Sequence, residues 1–184
     1  MSVFVANEQA DHPVDEPALA RLARLVMEAE GVEESELSIL LVDATVMSQL
    51  NGRFMGEARP TDVLAFPIDG PVPASGPPGG PVGPRGFSDE RAAGHDDEDL
   101  DDDVDDDEAD DDAPWLLGDV VLCPSYAAAQ ARQAGQGLAA ELELLTVHGI
   151  LHLCGLDHAD PEDEQLMQGR TDELLARWRE AEPL

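Results

Sequence analysis

The chain has 184 residues, with 41 acidic against 10 basic ones, a formal charge of −31, and Arg as its only basic residue besides His. The length fits one domain, and the missing lysines exclude Schiff-base chemistry. The charge disfavours nonspecific binding to nucleic acid or to an anionic membrane, so any contact with a polyanion must be local.

Two cysteines, Cys123 and Cys154, lie in apolar stretches and cannot build a multi-bridge framework, which fits a reducing compartment. Asp11, Asp15 and Glu16 stand where a secretory signal would need an apolar run. Nothing approaches the roughly 18 consecutive apolar residues of a membrane span. The expectation is a soluble, cytoplasmic protein.

In chain order, Val3 to Val5 is a short apolar start. Pro17 to Glu30 then places Leu19, Leu22, Val26 and Met27 on one face of a helix that Gly31 ends. Leu37 to Val42 has the near-continuous apolar character of a buried strand, and Asp43 can cap a helix over Ala44 to Phe54. Pro60 breaks the chain before a short strand, Asp62 to Phe66, that ends at Pro67.

Composition then changes. Pro71 to Pro84 holds six Pro and four Gly, and positions 89 to 112 hold 16 acidic residues and one Arg. Self-repulsion there opposes compaction, so 70–114 reads as a disordered insertion. Without positions 89 to 112 the chain has 25 acidic and 9 basic residues, a charge of −16. One domain over 1–184 carrying an insertion is the economical organisation, because loop-closure cost grows only logarithmically with length.

After the insertion, Trp115 to Leu122 reads as a strand, and Pro124 opens an Ala-rich helix to Ala134 that Gly135 and Gly137 end. Leu138 to Cys154 is the most apolar helix and belongs at the centre. Pro161 to Glu180 suggests a last amphipathic helix, with Leu166, Leu174, Leu175 and Trp178 on the core side rather than lining a partner groove. The sum is an α+β domain: a mixed sheet of about four strands packed with helices.

Chemistry concentrates in HGILHLCGLDH, His148 to His158. His148 and His152 are one helical turn apart and share a face, so their rings can converge on one cation. Gly155 stands where a left-handed cap would turn the chain and return His158 to the same point. A lone His in an apolar helix is ordinarily a hydrogen-bonded core residue, but burying three within eleven residues without compensation is costly, which favours metal binding. Three His ligands leave a fourth position open, as in catalytic zinc sites, where bound water is activated without a strong side-chain base. The spacing matches that of metzincin-type proteases, except that Gly149 replaces their Glu general base and weakens a peptidase reading.

His12 and His95 lack partners and receive no role. Asp157 is either an acceptor orienting an imidazole or a turn residue. Thr61, Asp62 and Asp119 read as turn residues and stay outside the metal shell. Cys154 points about 200 degrees away from His152 around the helix and reads as core.

Through HGILHLCGLDH, PTDVLAFP (Pro60 to Pro67) and GDVVLCP (Gly118 to Pro124), the sequence resembles the YbeY endoribonucleases, or rRNA maturation factors, over nearly the whole chain except 70–114. The resemblance implies a zincin-like fold and one Zn2+ held by His148, His152 and His158. It further implies endonucleolytic cleavage of single-stranded RNA, with precursor rRNA as substrate, in maturation of the small-subunit rRNA end and in ribosome quality control. The implied partners are the small ribosomal subunit and its proteins, with no membrane and no DNA. Family members often carry Arg where this chain has Met55, and Arg59 is the substitute candidate for stabilising transition-state charge. The nucleophile is water or the RNA 2′-hydroxyl. The alternatives are a ribosome-assembly binding factor with a structural zinc, its acidic tract engaging basic proteins, and, less favoured, a zinc peptidase.

Overall fold

The computed structural model describes residues 2–68, 115–156 and 161–181. Four strands form one sheet, β1 (Ser2–Asn7), β2 (Ser35–Leu41), β3 (Val63–Pro67) and β4 (Trp115–Leu122). Their spatial order is β1-β2-β4-β3, with β1, β2 and β4 parallel and β3 antiparallel to β4. The expected insertion at 70–114 lies outside the described residues apart from its sequence position between β3 and β4, which pair with each other.

The helices are α1 (Glu16–Ala29), α2 (Ala44–Phe54), α3 (Pro124–Ala134), α4 (Leu138–Leu153) and α5 (Pro161–Ala181). Local chemistry explains their ends. Asp43 Oδ1 accepts from the N–H groups of Thr45 and Val46 at 2.7 and 2.9 Å, satisfying two donors that α2 itself leaves unpaired. Asp15 caps α1 by accepting from Ala18 N–H at 2.9 Å. Pro124 opens α3, and Gly135, with φ of 71°, closes it in the left-handed conformation.

β2 differs from the expected run buried on both faces. Ser35, Leu37, Ile39 and Leu41 are buried, whereas Glu36, Ser38 and Leu40 are only partly so. The reason is an unequal cover. One face meets the large core built with α1, α4 and α5, and the other meets a small cluster of Val42, Met47, Leu64, Val121 and Cys123. Asp119 is not a turn residue at a strand edge. It sits inside β4, opposite Ser38 on one side and Phe66 on the other.

α5 also corrects the sequence pattern, because Leu166 is 67% exposed while Met167, Thr171, Leu174, Leu175 and Trp178 are buried. A helix advances about 100 degrees per residue, so a stripe through 167, 171, 174, 175 and 178 leaves 166 beside the buried face. Arg170 holds α5 to α1. Its Nε pairs with Glu30 at 2.7 Å, and a terminal nitrogen donates to the Ala29 carbonyl at 3.0 Å. The Glu30 side chain is only 6% exposed and is paired by that guanidinium.

α4 comes close to the sheet at Gly149. A Cβ there would stand 2.8 Å from Val120 Cγ1 and 3.4 Å from Val63 Cγ2, and Val120 is fully buried. The absent side chain lets the helix backbone rest on β4 and β3.

Two stability predictions follow from these contacts. Gly149→Ala should lower unfolding stability by about 1–2 kcal/mol, the overpacking cost exceeding the gain in helix propensity, and Val120→Ala in the same chain should recover part of it. A Gly149→Ala protein as stable as wild type in urea would contradict this packing. Arg170→Met should cost about 2–3 kcal/mol by leaving Glu30 buried and unpaired, and Glu30→Gln alongside it should relieve much of that loss. Additive losses in the double variant would show that the two side chains do not depend on each other.

Candidate metal centre

α4 is apolar almost all round, and nine of its sixteen residues are buried. His148 and His152 are only partly buried. They share one face and line a cleft of about 1000 Å3 bounded by β3, α3, α4 and α5. Their Nε2 atoms stand 3.2 Å apart, with ring centroids at 4.7 Å and planes at 86°. Two nitrogens each about 2.0–2.1 Å from one tetrahedral ion stand about 3.3–3.4 Å apart, so the spacing fits two adjacent ligands of a single zinc. Borderline imidazole donors also suit that metal.

The end of α4 turns as its sequence requires. Gly155 has φ of 88°, its N–H donates to the His152 carbonyl at 3.0 Å, and Leu156 N–H donates to the Leu151 carbonyl at 3.0 Å. This pair of bonds is a Schellman closure, sealed by Leu156 packing on the core. The helix ends at Leu153, and its closing turn is complete at Leu156. Asp157 and His158 lie outside the described residues, and no three His, Cys, Asp or Glu residues gather around a metal position among the described ones.

β3 supplies the opposite wall. It is the outer strand, and Asp62 and Ile68 direct their backbone bonds to β4: Cys123 N–H donates to the Asp62 carbonyl at 2.9 Å, and Ile68 N–H donates to the Leu117 carbonyl at 3.4 Å. Strand alternation therefore turns the backbone of Val63, Ala65 and Pro67 away from β4, and all three line the cleft. Asp62 also lines it, but Oδ1 accepts from Val63 N–H and from Thr61 Oγ1, both at 2.9 Å. Thr61 and Asp62 thus shape the entry to β3.

Among the polar residues of the wall, Glu141 and Gln130 were not singled out from sequence. Glu141 is 7% exposed and accepts from Gln136 Nε2. It lies two helical turns before His148, a spacing that puts a carboxylate on the same apolar helix and was readable in principle. Gln130 reaches the cleft from α3 with a buried Oε1 that has no hydrogen-bond partner among the described residues. Its position depends on how α3 packs on α4, which no local pattern announces.

Arg59 does not line the cleft. Its guanidinium is 75% exposed and pairs with Glu57 at 2.6 Å, while Met55 does line the cleft. Cys154 is buried against the core, and burial first, then the Glu30 charge, pushes its thiol up to about 12. It is therefore a neutral packing group at physiological pH. His12 takes part in backbone bonds to the Gln9 side chain, and His95 lies outside the described residues.

A sequence model of the family described as endoribonuclease YbeY matches residues 4–179. The endoribonuclease YbeY of a Nocardioides species is 44% identical over 180 residues, covering 97% of this chain and 99% of that one. That of Salinispora tropica is also 44% identical, covering 97% of both chains. Among solved structures, the solution structure of Thermotoga maritima TM1509 shares the fold with a TM-score of 0.53 at 19% identity, over 97% of this chain and 93% of that one. The chain belongs to the endoribonuclease YbeY family.

Proposed function

We propose that the chain is a zinc-dependent endoribonuclease that cleaves single-stranded RNA during rRNA processing. Precursor rRNA of the small subunit is the proposed substrate, and the small ribosomal subunit and its proteins are the proposed partners. The work would take place in the cytoplasm and extend to ribosome quality control. Family membership supports the activity class, and one observation carries the site: the His148 and His152 Nε2 atoms, 3.2 Å apart, facing a cleft walled by an open strand edge.

His148, His152 and His158 would hold the metal in a zincin-like arrangement, the first two from the central helix. Bound zinc supplies Lewis acidity and a nucleophile available at neutral pH. The protein's own part is orientation. The Gly149 contact with Val120 fixes the height of both imidazoles over the sheet, and the Schellman closure at Gly155 ends the helix three residues before His158 in sequence. The Gln130 amide offers a hydrogen-bonding group inside the cleft. Gly149 can neither take nor give a proton, and a carboxylate side chain at that position would collide with Val120. This argues against peptide hydrolysis with a Glu base after the first His. The nucleophile is water or the RNA 2′-hydroxyl. A 5′-phosphate product with a free 3′-hydroxyl identifies the first, and a 2′,3′-cyclic phosphate the second.

The decisive assay is cleavage of a single-stranded RNA by metal-loaded protein. Chelation should abolish cleavage and zinc should restore it, while His152→Ala should lose at least a hundredfold in rate together with its zinc. Cleavage by the metal-free protein at the full rate would refute the proposal. Arg59, the nearest cation before the cleft wall in sequence, is proposed to stabilise transition-state charge after leaving Glu57. Arg59→Ala should slow cleavage about tenfold with zinc content unchanged, and an undiminished rate would reduce Arg59 to a surface partner of Glu57.

A further inference from the structure

We infer that Arg53, Phe54 and Phe66 form a stacking platform that seats a base of single-stranded RNA at the rim of the histidine cleft. The inference rests on the RNA substrate proposed above and assigns positioning residues to it. The Phe54 and Phe66 rings lie 4.9 Å apart with planes at 59°, and the Arg53 guanidinium carbon stands 5.3 Å over the Phe54 ring. Even with both contacts, Phe54 remains 53% exposed.

The platform adjoins the cleft through the chain on both sides. Met55, which follows Phe54, and Ala65 and Pro67, which flank Phe66, all line it. Strand alternation sends the side chains of Leu64 and Phe66 to the α2 face of the sheet, while β3 turns its open edge to the cleft. The rings therefore stand on the far side of the strand that borders the imidazoles, where a chain threaded across the edge would emerge.

Charge selects the occupant. In a protein of net charge −31, a phosphate chain needs local cations. Arg59 is engaged by Glu57, and Arg170 by Glu30 and Glu173, whereas Arg53 makes no ion pair among the described residues. A planar cation over an exposed ring next to a second ring presents flat, electron-rich and cationic surfaces together, which suit a nucleobase and its phosphate. A purely aliphatic partner segment would gain nothing from the guanidinium.

The test uses the full-length, zinc-loaded protein and a short single-stranded RNA carrying 2-aminopurine. Phe54→Leu keeps apolar bulk without an aromatic face. It should raise KM about tenfold, leave kcat within about twofold and remove the fluorescence quenching that stacking produces, while Phe54→Trp restores both. Arg53→Gln should raise KM and flatten its salt dependence. Unchanged KM and quenching in a Phe54→Leu protein of wild-type melting temperature would overturn the platform, as would a defect that Phe54→Trp does not repair. Wild-type protein that neither binds nor cuts the RNA would instead overturn the substrate reading beneath it.

Discussion

The close seating of α4 on the sheet is the constraint on which the site depends. It exists because residue 149 lacks a side chain where Val120 and Val63 come nearest. His148 and His152 project from the two flanking turns of the same helix, so their spacing from one another and from β3 is inherited from a backbone-to-core contact. Fully buried Val120, Ile150 and Leu151 surround that contact. Close-packed interiors resist adjustment, so the helix that carries the imidazoles is held in place by packing. Gly149 is thus a structural requirement as well as a missing proton carrier.

The rest of the cleft divides the labour between rigid and open surfaces. The β3 edge and the polar groups of α3 and α4 form its walls, with Glu141 engaged by Gln136 and Asp62 by its own neighbours. Each of these carboxylates accepts its hydrogen bonds through one oxygen. At the end of α2, outside the cleft lining, Arg53 stands over an exposed ring. A strongly acidic chain can approach RNA only through features of this kind, since its long-range field is unfavourable.

Much of this was legible in the sequence because local signals and packing agree. Asp43, Pro124, Gly135 and Gly155 each mark a helix end through chemistry confined to a few residues, and all four do so in the structure. The alternation of β2 and the true face of α5 were less legible. Leu40 and Leu166 are apolar residues whose exposure depends on which neighbouring elements arrive, not on their own segment. Asp119 looked like a turn residue because Gly118 precedes it, yet pairing on both sides keeps it in a central strand. At the site, the histidine pair followed from helical periodicity alone. Gln130 and the separation of Arg59 from the cleft are products of tertiary packing and of the ion pair with Glu57.

The central claim is that His148, His152 and His158 share one zinc ion with a fourth, exchangeable position. X-ray absorption at the zinc edge of the stoichiometrically loaded protein tests this most directly. The account requires a first shell of three imidazole nitrogens and one oxygen at about 2.0–2.1 Å, with the imidazole signature diminished in His152→Ala. A sulfur shell near 2.3 Å, or a spectrum that His152→Ala leaves unaltered, would contradict it.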